Sequence, residues 1–263
     1  MRHPSDKKCV VISGYPKSGT TWATRQVAQL LDCQSKGFWG MDEDTFVTEG
    51  KDRESELVCY QSHGLFDEIH REKVFPVYRI IYIIRDPRDV IVSGSYHFRF
   101  YDRHLLSFLK KHRLGRIGGK IKSINHRLYT LQGRIRRMIE MLKKGDPDIP
   151  FCQHSWNDHV SSFIDNKVLI IRYEDLLLDG LTASKRILDH VGREKSEKVI
   201  LDDLERQSFN KRKMEFVDNG EETKAKHLRR GQVGDWKHHL TDKLNNEVKQ
   251  SFHTNMRKFS YLD

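Results

Sequence analysis

Cys9 to Ser13 is a short apolar run of strand length, and from Thr20 the period changes so that Ala23, Val27, Leu30 and Leu31 fall on one helical face. Between them lies Gly14-Tyr-Pro-Lys-Ser-Gly-Thr-Thr21. Its glycines let the backbone turn tightly and aim N–H groups at an anion, while the new helix N-terminus adds its positive dipole end. A strand, a phosphate-cradling turn and a helix in direct succession point to a nucleotide.

Further strand-like runs follow at Leu57 to Gln61, Arg79 to Arg85 and Lys167 to Arg172. Helical patterns lie between and after them: one from near Pro87, then Lys122 to Leu142, Gln153 to Ile164 and Ala183 to Val191. A final stripe has Leu240, Leu244, Val248 and Phe252 four apart. Strands alternating with helices imply right-handed crossovers and a P-loop-like parallel sheet flanked by helices, with ligands at the carboxyl ends of the strands. At 263 residues the chain is most simply one α/β domain. Residues from about 99 to 150 read as a basic helical insertion carried on it, closed by Gly145-Asp-Pro-Asp-Ile-Pro150, because their apolar content is too low for an independent core.

The formal charge of +10 favours anionic ligands without naming one. Arg103 to Ile139 contains no acidic residue, and Lys110, Lys111, Arg113, Arg134, Arg136 and Arg137 are among its cations. Such a block is a solvated face or, in the sharper reading, a contact for a polyanion; a third reading makes it a basic lid over an acceptor mouth. Cys9, Cys33, Cys59 and Cys152 are scattered without metal-type pairing, so they read as free thiols and no metal is expected. Ile80-Ile-Tyr-Ile-Ile84 is only strand-sized, and with no signal or spanning segment the chain is expected to be cytoplasmic.

The phosphate turn departs from the ordinary P-loop, because Gly19-Thr20-Thr21 replaces the usual Gly-Lys-Ser/Thr ending and the lysine stands earlier as Lys17. Tyr15-Pro-Lys-Ser-Gly-Thr-Thr-Trp22 resembles the 5′-phosphosulfate loop of sulfotransferases that use 3′-phosphoadenosine 5′-phosphosulfate (PAPS). Arg85-Asp-Pro-Arg-Asp-Val-Ile-Val-Ser93 resembles that family's 3′-phosphate segment, and Leu228-Arg-Arg-Gly-Gln-Val-Gly-Asp-Trp-Lys237 its C-terminal glycine signature. The resemblance implies that Ser18, Gly19, Thr20 and Thr21 hold the 5′-phosphate, while Arg85, Ser93, Arg229, Arg230 and Gly231 hold the 3′-phosphate. It also implies that Trp22, Tyr173 and Phe209 flank the adenine. In the implied chemistry His63 is the general base and Lys17 meets charge on the leaving oxygen, with Ser93 restraining Lys17 until an acceptor arrives.

Three positions depart from the family pattern. Gln61 stands two residues before His63 where the family carries a lysine, so a cation near the sulfuryl group is missing and Arg79 or the basic insertion is left to supply one. Gln207 replaces a more usual threonine. Of the family's dimerisation element, Lys237 and Thr241 fit but Asp242 and Asn246 do not, which leaves the oligomeric state open. The acceptor is equally open: a small molecule, glycan or lipid, neutral or anionic, with a hydroxyl or amine; nucleic acid is not expected. Two rival readings are a P-loop kinase, with Thr21 and Asp86 on a metal, and a non-catalytic polyanion-binding protein.

Overall fold

The computed structural model describes residues 7–40, 47–71, 76–98, 100, 130–218, 220 and 231–262. Six strands form one sheet: β1 (Lys8–Ser13), β2 (Gln34–Phe38), β3 (Val47–Glu49), β4 (Leu57–Ser62), β5 (Val77–Ile84) and β6 (Leu169–Arg172). Their order is β3-β2-β4-β1-β5-β6. All neighbours pair in parallel except β2 and β3, so the expected parallel sheet is mixed at one edge. Gln34-Ser-Lys-Gly-Phe38 lacks an apolar run and Val47–Glu49 is only three residues long, which is why the sequence pattern reveals neither β2 nor β3.

Cys9 through Ser13 are wholly buried, so β1 is covered on both faces as a central parallel strand must be. Because side chains alternate along a strand, Val11, Tyr82 and Ile84 join one core while Val10, Ile12, Ile81 and Ile83 join the other. The second face is covered by α1 (Thr20–Leu30), through Ala23 and Val27, and further round by the helix Gly180–Val191, through Ile187 and Leu188. After α1 come α2 (Phe66–Arg71), α3 (Pro87–His97), α4 (Leu131–Lys144) and α5 (Trp156–Ser161). Beyond β6 lie α6 (Tyr173–Leu178), α7 (Gly180–Val191), α8 (Glu197–Arg206), α9 (Phe209–Asp218), α10 (Asp242–Ser251) and α11 (His253–Lys258).

The segment read as an insertion contributes to the main core. Its helix α4 begins where Thr130 accepts from the Gly133 amide at 3.1 Å, and it buries Ile135, Met138, Ile139 and Leu142 against the first face. The expected start at Lys122, and the cations Lys110, Lys111 and Arg113, lie outside the described residues. Of the described cations in that run, Arg137 stands 3.9 Å from Asp146 and Arg134 lies 5.8 Å over the Tyr96 ring.

A buried polar cluster ties the end of the chain to two strand ends. Asp86 caps α3 by accepting from the Arg88 amide at 2.9 Å, and its carboxylate takes two bonds at 2.9 and 2.7 Å from the Arg88 guanidinium. That guanidinium also donates to the Tyr261 carbonyl at 2.8 Å and lies 3.9 Å over the Trp236 ring. The Tyr261 hydroxyl donates to Glu174, whose other oxygen accepts the Asp86 amide. Arg88→Met should therefore destabilise the fold by about 3–5 kcal/mol, because Asp86 is left as a buried charge without its partner. Urea unfolding of variant and wild type measures this; a loss below about 1 kcal/mol would mean that Arg88 is replaceable packing.

Candidate active site

The turn after β1 is held open by two residues with left-handed backbone, Lys17 at φ 74° and Gly19 at φ 85°. A Cβ on Gly14 would stand 2.6 Å from the Ile83 carbonyl oxygen, and one on Gly19 would stand 2.5 Å from the Tyr173 ring. Neither position has room for a side chain, so the loop backbone is pressed against β5 on one side and α6 on the other. Ser18 Oγ and Thr20 Oγ1 are buried at the mouth of α1 with no hydrogen-bond partner among the described residues. Orphaned hydroxyls beside a helix N-terminus suit an anionic group.

Sheet order gathers the other motifs around this turn. β4, β1, β5 and β6 are neighbours about 4.8 Å apart, so the residues following each strand, His63, Gly14, Arg85 and Tyr173, emerge side by side. The Arg85 guanidinium donates to the Lys17 carbonyl at 3.3 Å and to the Gln232 carbonyl at 3.1 Å, and lies 4.3 Å over the Tyr173 ring. Its Nε is buried without a partner among the described residues. Asp89, 3.9 Å from Arg85, accepts from the Gly234 and Trp236 amides at 2.8 and 3.0 Å, which docks the C-terminal glycine segment against α3. Burial nonetheless pushes the Asp89 carboxyl above its ordinary range, against the pull of Arg85 and the two amides.

Gly231, at φ 60°, opens that segment; Arg229 and Arg230 lie outside the described residues. Trp22 donates from Nε1 to the Gln207 carbonyl at 2.9 Å and sits 5.7 Å, edge to face, from Tyr173. Phe209 opens α9, its side chain outside the description. The Gln207 amide goes to Glu49, which also faces Arg25 at 3.7 Å; the residue replacing the family threonine thus holds the sheet edge. Ser93 and Lys17 are both half-buried, Ser93 on the second turn of α3. Thr21 is exposed at the start of α1.

His63 is fixed at both ring nitrogens. Nδ1 lies 2.6 Å from the Gly14 carbonyl oxygen, which only accepts, so Nδ1 carries the proton. Nε2 is 3.2 Å from the Gln61 amide nitrogen. Burial, helped by the charge of Lys17 and opposed by the Gly14 bond, lowers the His63 pKa to about 4, so the ring is neutral at physiological pH. Phe38 and Phe151 stack on each other at 5.1 Å, and each ring lies 5.6 Å from His63. Phe151 takes a left-handed φ of 65°, a conformation that disfavours a bulky residue.

Beneath His63 sits His159 on α5. Its Nε2 donates to the His63 carbonyl at 3.0 Å and its Nδ1 accepts from the Tyr82 hydroxyl at 2.9 Å. Burial lowers its pKa to about 3. Phe38 and His159 carry no signal of this role in the sequence pattern, since each reaches the site through tertiary contact. Asp89 lies inside the motif Arg85 to Ser93, and Phe151 directly follows the punctuated stretch Gly145 to Pro150. Arg79 does not supply the missing cation: it sits at the far end of β5, bonded to the His190 and Tyr78 carbonyls.

The sulfotransferase domain family matches residues 7–260. The chain belongs to the sulfotransferase family. Its curated relatives include the 3-alpha-hydroxysteroid sulfotransferase of Cavia porcellus, 27% identical over 250 residues, covering 86% of this chain and 76% of that one. The amine sulfotransferase of Oryctolagus cuniculus is 24% identical over 277 residues, covering 95% and 81%. Mouse sulfotransferase SULT7A1 complexed with PAP has the same fold, with TM-score 0.62 and 20% identity over 96% of this chain and 84% of that one. For this sulfotransferase the kinase reading fails at Asp86, whose carboxylate is committed to Arg88 and to capping α3. Among the described residues no helix is long and apolar enough to cross a membrane.

The two buried neutral histidines set a pH dependence. In the unfolded chain they bind protons below about pH 6.5, whereas folded they resist until about 4 and 3, so stability is complete above 6.5 and falls as pH drops through that window. Each contributes a slope of about 1.4 kcal/mol per pH unit there. His159→Gln keeps a donor for the His63 carbonyl and an acceptor for Tyr82 but does not titrate. Denaturant midpoints measured at pH 7.5, 6 and 5 should fall less steeply in that variant, by roughly one proton; identical slopes would show that His159 binds its proton as readily in the fold as in the unfolded chain.

Proposed function

We propose that this sulfotransferase transfers the sulfuryl group of PAPS to a hydroxyl or amine of a small acceptor by in-line displacement, with His63 as general base. The observation that carries this reading is the locked His63 ring. Its Nδ1 proton is spent on Gly14, its lone pair stands at Nε2 beside the Gln61 amide, and the ring lies in the electrostatic reach of Lys17 in the phosphate loop. A neutral imidazole in this tautomer accepts a proton without first losing one.

The described residues fit the nucleotide. Ser18, Thr20 and the α1 N-terminus offer unspent donors for the 5′-phosphate, and Arg85 with the Gly231 segment faces the same turn from β5, where the 3′-phosphate is assigned. The mouse enzyme of the same fold is complexed with PAP, which supports the same nucleotide here. Lys17 is assigned to the charge that grows on the leaving phosphate oxygen, where a fixed cation lowers the barrier most. Relatives named for hydroxysteroids and for amines support a small-molecule acceptor. The stacked Phe38 and Phe151 rings support one with an apolar face beside the reacting atom.

His63→Ala should cut turnover by about a hundredfold or more while leaving adenosine 3′,5′-bisphosphate binding nearly intact, since general-base catalysis is typically worth that much. Turnover above about a tenth of wild type would require another base. Arg85→Ala should weaken adenosine 3′,5′-bisphosphate about 10- to 100-fold more than adenosine 5′-phosphate, which lacks the group that Arg85 is assigned to hold. Calorimetric titration of both ligands checks this, and equal losses on the two would make Arg85 a support of the Lys17 and Gln232 carbonyls only.

A further inference from the structure

Gln61 is buried at the carboxyl end of β4, and its side-chain amide meets the one atom of His63 that must stay free to take a proton. The direction of that contact is fixed. Because Nδ1 donates to Gly14, the neutral ring can only accept at Nε2, and so Gln61 presents its NH2 group there. The amide nitrogen and Nε2 are 3.2 Å apart, so a point at hydrogen-bond distance from one can also lie at hydrogen-bond distance from the other.

We infer that Gln61 positions the acceptor and selects hydroxyls over amines: its amide N–H turns from His63 Nε2 to the attacking atom, which frees the Nε2 lone pair to take that atom's proton. The inference rests on His63 as the base. A hydroxyl oxygen has two lone pairs, so one can accept from Gln61 while the other forms the bond to sulfur. As that bond forms, the O–H proton passes to His63 Nε2, and the bond from sulfur to the nucleotide's phosphate oxygen breaks with its electron pair leaving on the phosphate. A neutral amine has a single lone pair. It cannot attack sulfur and accept from Gln61 at once, so an amine must either forgo the bond or face the amide donor unpaired.

Gln61 also carries no charge, which separates its effect from general attraction of an anion. A residue acting as a donor toward the acceptor should change the ratio of hydroxyl to amine turnover, whereas one that merely packs against His63 should change both equally.

The test compares kcat/KM for naphthol and naphthylamine in wild type, Gln61→Met, Gln61→Lys and His63→Ala. Wild type should favour naphthol by about tenfold or more, the usual worth of one hydrogen bond expressed in the transition state. Gln61→Met should lose about tenfold on naphthol and little on naphthylamine, while Gln61→Lys, which has only donors, should restore the preference. Retained binding of adenosine 3′,5′-bisphosphate shows that each variant is folded; if Gln61→Met fails this, the ratio in Gln61→Asn, whose shorter amide falls short of the acceptor, takes its place. An inactive His63→Ala with an unchanged ratio on removing Gln61 overturns the role of Gln61 and leaves His63 in place. Turnover retained in His63→Ala overturns both.

Discussion

The complete burial of Cys9 to Ser13 in β1, between β4 and β5, is the constraint on which the site depends. With both faces covered and Val10 and Ile12 seated in one core while Val11 enters the other, a slip of one residue would turn every side chain to the wrong layer. The register is therefore fixed to a single solution, and with it the height at which Gly14 leaves the sheet. His63 reads that height through its bond to the Gly14 carbonyl, and Arg85 reads it through the Lys17 carbonyl. An imidazole, a glycine turn and a guanidinium held to one strand end keep their spacing without a dedicated scaffold.

Buried charges around the turn are arranged by neighbours from distant parts of the chain. Asp89 anchors the Gly234 to Trp236 backbone, while Asp86 and Glu174 hold Arg88 and Tyr261. The C-terminal glycine segment thus enters the site already docked at one end. Pairing Tyr261 with the β5 and β6 ends makes formation of this part of the site part of folding itself.

The central strands were legible because burial on both faces writes them as continuous apolar runs, Cys9 to Ile12 and Ile80 to Ile84 among them. The phosphate turn, His63 and Arg85 were legible because each lies at the end of such a run. Strands β2 and β3 were not, since Gln34-Ser-Lys-Gly-Phe38 is half-exposed and polar and β3 is only three residues long. Helix α8 was missed for the same reason: only Ile200 and Asp203 of its ten residues are buried. The departure at Gln61 showed in the sequence, but its partner did not, because a two-residue separation along a strand says nothing about how the next residue turns back. His159 lies 96 residues from the carbonyl that it supports, a relation that only the packing of α5 creates.

Phe151 stands at the mouth with a backbone conformation suited to glycine, and that strain costs on the order of 1–3 kcal/mol. The same residue is partly exposed, so little apolar burial offsets the cost. Improving the protein for heat resistance alone would therefore favour glycine or asparagine at this position and would dissolve half of the aromatic wall beside His63. Thermal robustness and the aromatic wall beside His63 pull in opposite directions at a single backbone dihedral angle.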